Sequence, residues 1–353
     1  MDKPKKSVRR KTRGVTIDEV AALAGVSPMT ISRVINGQGK VRDTTRERVM
    51  RAVRELNYTP NLAASSLAAA QHTRIALIYT NPSGAYLREL LVGLLRVASR
   101  TAIQLVVDYW DDLDAEAERK AARALGKRVD AVILPPPLCE SRAAVTEFVR
   151  AGIPVVAIAS GRFSDDISCV RIDDFRAGKE LAEHMIERGH TRIGFIKGRA
   201  DLSASARRFQ GFQAALEEAG IALDPALVQL GDYTYRSGLK AAEKLLGQRR
   251  PPSAIFASND DMAAAAISVA HRRGLDVPRD LSVVGFDDTS AATTVWPELT
   301  TIHQPIASMA DAAIDVLLRG IRRNDASTRV LTDRVVPHRL IARDSVAAPP
   351  KKK

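Results

Sequence analysis

Asp287 and Arg208 are a carboxylate and a guanidinium that could together do acid-base work, yet the sequence places no nucleophile and no cofactor motif beside them. There is no strand-linked GxGxxG, no P-loop and no GxSxG elbow. The six histidines and the two cysteines, Cys139 and Cys169, show no metal-ligand spacing, and the cysteines read as reduced thiols rather than a disulfide. No catalytic residue, metal site or cofactor is therefore assigned. Recognition is the chemistry the sequence does support. In Thr16 to Asn36, TIDEVAALAGVSPMTISRVIN, the residues Pro28, Met29, Thr30, Ser32 and Arg33 fall on or near the open face of one short helix. A guanidinium with small polar and apolar neighbours on such a face suits base edges in the major groove of DNA.

The flanking residues must position that face. Thr16 followed by Glu19 is a capping-box pattern, and Ile17, Val20 and Ala24 then share one side of a first helix. Gly25 can take the positive φ of a tight turn, and Ala21 is small where two crossed helices approach. Ser27 can cap the second helix, with Pro28 at its first position, where the missing N–H has no intrahelical partner anyway. Ile31 and Val34 close the core side. A second box, Thr44 to Glu47, predicts a third helix through Val49, Val53 and Leu56. The whole reads as a helix-turn-helix over residues 15–58, with Thr16, Ser27 and Asn36 as further candidate DNA contacts. The rival reading is a plain helical bundle, which needs neither the Ala-x3-Gly spacing nor a polar, basic outer face.

The run LNYTPNLAASSLA, Leu56 to Ala68, puts Pro60 at the start of a helix of roughly two turns, too short to be stable alone in water. At this point the chain resembles the lactose-repressor and galactose-repressor (LacI/GalR) family of bacterial regulators. The resemblance implies a helix-turn-helix joined by a DNA-induced hinge helix, here residues 59–71, to a core like a periplasmic binding protein. It implies DNA contacts from the hinge residues Asn61, Ala64 and Leu67, with Leu67 as a wedge in the minor groove, where an apolar side chain can unstack a base step. Packing of Leu67 on the core is the alternative.

From Arg74 onward, short β-rich runs alternate with helical segments: RIALIY, IQLVVDY, DAVILP, PVVAIA, RIGFIK, SAIFAS, LSVVGF and LTTIH are the strand candidates. Such alternation predicts parallel sheets covered by helices, with ligands at the carboxyl ends of the strands. Residues 74–345 are similar to the family core, most specifically in GHTRIGFIKG (Gly189 to Gly198), ASNDDMAAAAI (Ala257 to Ile267), VPRDLSVVGFDD (Val277 to Asp288) and LTTIHQP (Leu299 to Pro305). The expected fold is an all-α helix-turn-helix domain plus a two-lobed α/β core with parallel sheets, the core running over residues 72–345.

Asp287 follows LSVVGF and Asn259 follows SAIFAS, so both are polar groups at strand ends; a turn-capping aspartate and a helix cap are their plainer readings. The resemblance implies that Asp287 contacts a small-molecule effector, that Arg208 forks onto sugar or carboxylate oxygens, and that Tyr233 stacks on the ligand. For Arg208 the alternative is a surface arginine on a helix. Asp173 after the strand CVRI, and Asn81, Ser83 and Tyr86 after RIALIY, complete the candidate set. The chain departs from many relatives at Ala159, where they carry an acidic residue.

Charge agrees with this division. Residues 1–71 hold 14 Lys and Arg against 6 Asp and Glu, which is +8 of the formal +12. A basic segment at the DNA-reading end is the footprint expected for phosphate contact. Residues 1–14 read as a disordered basic arm, either a solvated tail or a non-specific DNA tether, and residues 346–353 as a disordered tail. No apolar run reaches membrane-spanning length, and the basic N-terminus has no apolar h-region after it and reads as neither an anchor nor a signal peptide, so a cytoplasmic protein without membrane contact is expected. The reading is a sequence-specific regulator, a repressor binding a pseudo-palindromic DNA operator as a homodimer under control of a sugar or sugar derivative. A purine-type or other corepressor on the same architecture is the alternative. A solute receptor for transport shares the core but has no use for a helix-turn-helix.

Overall fold

The computed structural model describes residues 16–35, 42–56, 72–80, 83–110, 113–161, 164–322 and 330–350. The chain divides into two compact units, residues 1–72 and 73–353. In the first, α1 (Ile17–Ala24) opens on a formed capping box: Thr16 N–H donates to Glu19 Oε2 at 2.7 Å and Glu19 N–H to Thr16 Oγ1 at 3.4 Å. It ends at Gly25 with φ 62°, which lets Val26 N–H reach back to Ala21 O at 3.1 Å. Ser27 Oγ accepts from Thr30 N–H at 3.3 Å and starts α2 (Pro28–Ile35).

The third helix departs from expectation. α3 (Asp43–Glu55) begins two residues early, at the Arg42 carbonyl, which accepts from Thr45 and Arg46 N–H at 2.9 and 3.0 Å. Thr44 therefore sits inside the first turn and forms no capping box; the negative charge of Asp43 beside the helix N-terminus supplies favourable electrostatics instead. Val20, Ile31 and Val49 are fully buried between the three helices, with Ala21, Ala24, Val34 and Ala52 filling the close approaches.

The second unit runs β1 (Thr73–Tyr79), α4 (Gly84–Ala98), β2 (Ile103–Tyr109), α5 (Ala115–Gly126), β3 (Ala131–Leu134), α6 (Arg142–Arg150), β4 (Val155–Ile158) and β5 (Ser168–Arg171). It continues with α7 (Asp174–Ile186), β6 (Ile193–Lys197), α8 (Ser203–Glu218), β7 (Val228–Leu230), α9 (Tyr235–Leu246), β8 (Ala254–Ala257), α10 (Asp260–Arg272) and β9 (Ser282–Val284). Last come α11 (Ser290–Thr294), β10 (Thr301–His303), α12 (Ile306–Arg322), β11 (Asp333–Val335) and β12 (Arg339–Ile341). One parallel sheet has the order β11-β5-β4-β3-β1-β2 and defines a first lobe; a second, β7-β6-β8-β9, defines the other. β3, β4 and β8 are buried at every position, as continuous apolar strands covered on both faces must be.

Three segments join the lobes: the step from β5 to α7, the return through β10 to α12, and the passage from β11 to β12. The run LTTIH, expected as one more sheet strand, contributes only Thr301–His303, paired antiparallel with β12 in a two-stranded ribbon. It belongs to the return crossing rather than to the second lobe's sheet. Phe195, Phe209, Phe212 and Phe256 fill that lobe's centre with ring centroids 4.7 to 6.2 Å apart. Such pairs each add about 0.5–1.5 kcal/mol beyond their buried area.

The expected free tail from residue 346 is instead bound as far as Pro349. Ala347 N–H donates to Ser282 Oγ at 3.1 Å, the Ala347 carbonyl lies 2.8 Å from His190 Nε2, and Pro349 packs on Gly189. The buried His190 and Ser282 offer polar atoms that need partners, and the chain's end supplies them.

Candidate functional site

On α2 the outer face carries Pro28, Met29 and Arg33, all exposed, with Met29 at 64 % and Thr30 half-buried beside them. Ser27 and Thr16 are turned to the helix starts that they cap. Asn36, Asn61, Ala64, Leu67 and Asn81, and the side chain of Ser32, lie outside the described residues. Ile31 and Val34, facing inward, fix the rotation of α2 so that Arg33 projects outward, with no partner among the described residues.

In the second unit the structure gathers Ser83, Tyr86, Arg208, Tyr233, Asn259 and Asp287 around one cleft between the lobes, with about 460 Å³ of empty space that includes part of its mouth. Pro136 and Pro137 after β3, and Ala159 after β4, form the first lobe's wall. Arg208, on α8, is 4 % exposed and held from behind: Nε donates to Asp174 Oδ1 at 2.8 Å and Nη1 to the Ser258 carbonyl at 2.6 Å, while the guanidinium lies 3.6 Å from the Phe286 ring centre. Burial opposes its charge, but Asp174 and the nearby Tyr233 and Asp287 more than compensate, so it stays a cation. With Nε and Nη1 engaged, Nη2 is the guanidinium nitrogen left without a hydrogen bond among the described residues.

Asp287 is 5 % exposed, accepts from Gln304 Nε2 at 2.6 Å and lies 3.7 Å from Arg208 Nη1. Loss of solvent pushes its carboxyl up to about 7 in spite of Arg208 and Gln304. Tyr233, whose ring covers Gly198, is pushed up to about 12 by burial. Ala159, Tyr233 and Asp287 all have positive φ (55°, 71° and 106°), a concentration of backbone strain found where a binding site is held in shape. Three buried side-chain atoms have no partner among the described residues, and two of them, the Tyr86 hydroxyl and Gln304 Oε1, are on the cleft wall; the third is His184 Nε2. An unpaired buried polar atom costs about 1–3 kcal/mol, which a bound ligand can recover.

The other candidates are more structural. Asn259 caps α10, accepting from Met262 N–H at 3.0 Å, and its Nδ2 holds the Tyr233 carbonyl at 3.0 Å. Ser83 caps α4 and donates to Asp261 Oδ2 across the cleft at 2.8 Å. Asp173 caps α7 through Arg176 N–H at 3.1 Å and is not on the cleft lining; its neighbour Asp174 is the one buried against Arg208. Sequence reasoning missed Asp174, Gln304 and Leu202. Gln304 sits in the quoted LTTIHQP run, but no local pattern distinguishes it.

A helix-turn-helix unit followed by a two-lobed α/β core with a polar cleft defines a ligand-binding DNA-reading protein. Residues 16–61 match the model described as bacterial regulatory proteins, lacI family, and residues 182–346 that of a periplasmic binding protein-like domain. The chain is 33 % identical to catabolite control protein A of Priestia megaterium over 333 residues, 94 % of this chain and 99 % of that one. The structure of a transcriptional regulator CelR–cellobiose complex is similar with a TM-score of 0.71 and 32 % identity, covering 94 % of this chain and 99 % of that one. The lac repressor dimer bound to operator and the anti-inducer ONPF is similar with a TM-score of 0.70 and 28 % identity, over 95 % and 100 % of the two chains. The chain belongs to the LacI family of bacterial regulatory proteins. It is a DNA-binding transcriptional regulator with an effector-binding core, not an enzyme. Among the described residues, no helix is long and apolar enough to cross a membrane.

Proposed function

We propose that the chain is a cytoplasmic repressor whose cleft binds a neutral sugar or sugar derivative, with Asp287, Arg208, Tyr86 and Tyr233 as its main contacts. The observation that carries this reading is the balance of the lining. Arg208 and Asp287 are the charged residues among the described lining, and Arg208 already answers Asp174, so the cleft has no spare cation for a phosphate or carboxylate. What it offers is an unpartnered hydroxyl, an unpartnered amide oxygen, a carboxylate and one guanidinium nitrogen, beside the Tyr233 ring. That combination suits a ligand rich in hydroxyls with an apolar face. The relative solved with cellobiose agrees with it.

The remaining elements of the proposal follow from the same architecture. Thr16, Ser27, Pro28, Met29, Thr30, Ser32, Arg33 and Asn36 read the major groove, and Asn61, Ala64 and Leu67 the minor groove, of a pseudo-palindromic operator. Two copies pair through the first lobe, where Val92 and Leu95 of α4 and Val107 and Tyr109 of the edge strand β2 are each about half exposed. The lac repressor relative is a dimer on its operator. A thermal-shift screen of the full chain against sugars, sugar phosphates and purines tests the ligand class, because a ligand of the folded state raises its melting temperature. A neutral sugar is expected to raise it; a shift given by purines alone would replace the sugar with a purine corepressor.

A further inference from the structure

We propose that Glu140 is a positioning residue for the cleft: from the first lobe it caps α8 of the second, and so ties the placement of Arg208 to the closure of the two lobes. This rests on reading the cleft as the effector site. α8 begins after Leu202, whose side chain has no acceptor to offer the free N–H groups of the first turn. The cap comes instead from the opposite lobe. Glu140 ends a short 3-10 turn after β3, and its Oε1 accepts from Ser203 N–H at 2.9 Å and from the Ser203 hydroxyl, with Ser160 Oγ at 3.5 Å.

A carboxylate at this place satisfies an orphan amide and meets the positive end of the helix dipole. A second contact marks the same junction. Gly161, just past β4, lies so close to Ser203 and Ala204 that a Cβ there would run into their backbone. Leu202 and Ala204 line the cleft and Arg208 follows on the same helix, so the register of this first turn sets where the guanidinium stands. When the lobes part, Ser203 N–H loses its acceptor and the turn is free to fray.

Hydrogen exchange on the full chain reads this directly. In the parent protein the Ser203 amide is expected to be protected. Glu140→Ala is expected to raise exchange at Ser203 to Ala206 tenfold or more while β3 and α6 keep their protection, and Glu140→Gln, which retains the acceptor oxygen, to restore it to within about threefold. Gly161→Ala, wedging the junction with Glu140 intact, is expected to fray the same turn. Should Glu140→Ala fail to fold, Ser203→Ala carries the test, with a smaller rise confined to the same amides. A second arm titrates cellobiose, D-ribose and hypoxanthine: Glu140→Ala is expected to weaken whichever of them the parent binds about tenfold, and Glu140→Gln at most threefold. Unchanged exchange in the first turn of α8, loss spread evenly over the first lobe, or equal loss in the Ala and Gln variants overturns the assignment. If the parent binds none of the three probes, the ligand reading falls while the exchange arm still decides the role of Glu140.

Discussion

Asp287 and Asp288 are consecutive, both have positive φ, and their carboxylates face opposite ways: Asp287 accepts from Gln304 on the cleft side at 2.6 Å, whereas Asp288 accepts from Arg343 at 2.6 Å and meets His303 Nδ1 at 2.9 Å. Adjacent peptide units thus connect the cleft to β10 and to the segment after β12, two of the stretches that join the lobes. Asp288→Ala leaves Arg343 largely buried without that partner. It is expected to cost the second unit about 1–3 kcal/mol, measured by urea denaturation with the transitions of the two units followed separately.

Asp287 is expected to make effector binding depend on pH. In the proposed contact a ligand hydroxyl donates to the carboxylate, so the ionised form would bind, and burial pushes the carboxyl of free Asp287 up to about 7. Affinity for a neutral sugar effector is expected to rise about tenfold from about pH 6 to about pH 8, by titration calorimetry. Asp287→Asn is expected to flatten the profile; a parent profile that is itself flat would exclude this carboxylate as the acceptor. The same raised group also acts on folding. Between the ordinary carboxyl range near pH 4 and about pH 7 the folded chain holds a proton that the unfolded chain has lost, so this residue's contribution to stability falls as pH rises through that window.

Tyr86→Phe separates stability from binding. Its hydroxyl is buried with no partner among the described residues, so removing it from the free protein is expected to leave stability unchanged or raise it by up to about 1 kcal/mol. Effector affinity is expected to fall about tenfold, or about 1.4 kcal/mol. Undiminished affinity in the variant would show that the hydroxyl does not face the ligand.

Much of this was legible in local sequence. The Thr16 and Glu19 box, Gly25 and Ser27 act within four residues of themselves, and the first four strands of the core are apolar runs that no helix would interrupt. β7, β11 and β12 are three residues each and partly or wholly exposed, so they carry too short a pattern to show a period. Asp173 and Asp174 illustrate a second limit: both precede the same apolar helix face, and only the phase at which α7 starts decides which is a cap and which is buried under Arg208. Glu140 and Gln304 act on partners 63 and 17 residues away, and nothing beside them in sequence signals either contact.

Arg33→Ala tests base reading. With its side chain exposed on α2 and without a partner among the described residues, loss of a guanine contact is expected to cost about 1–3 kcal/mol on the specific site and to relax preference at one base position. Binding-site selection followed by titration of a matched and a single-mismatch duplex checks it; equal weakening on all sequences would make Arg33 a phosphate contact.

The way the lobes share the chain governs how they are made. The second lobe's sheet lies between β5 and β10 as one uninterrupted stretch, but the first lobe's sheet waits for its last parts: Arg171 of β5 meets Asp333 of β11 across 162 residues, and Ala310 of α12 packs on Gly93 of α4. A nascent chain that has reached β10 has every strand of the second lobe's sheet, while Leu90 and Leu94 still lack the helix that covers them and the sheet edge at β5 is bare. During synthesis, then, the lobe that begins first is the later of the two to complete its sheet, and its exposed α4 face and open edge are the surfaces on which incomplete chains would aggregate.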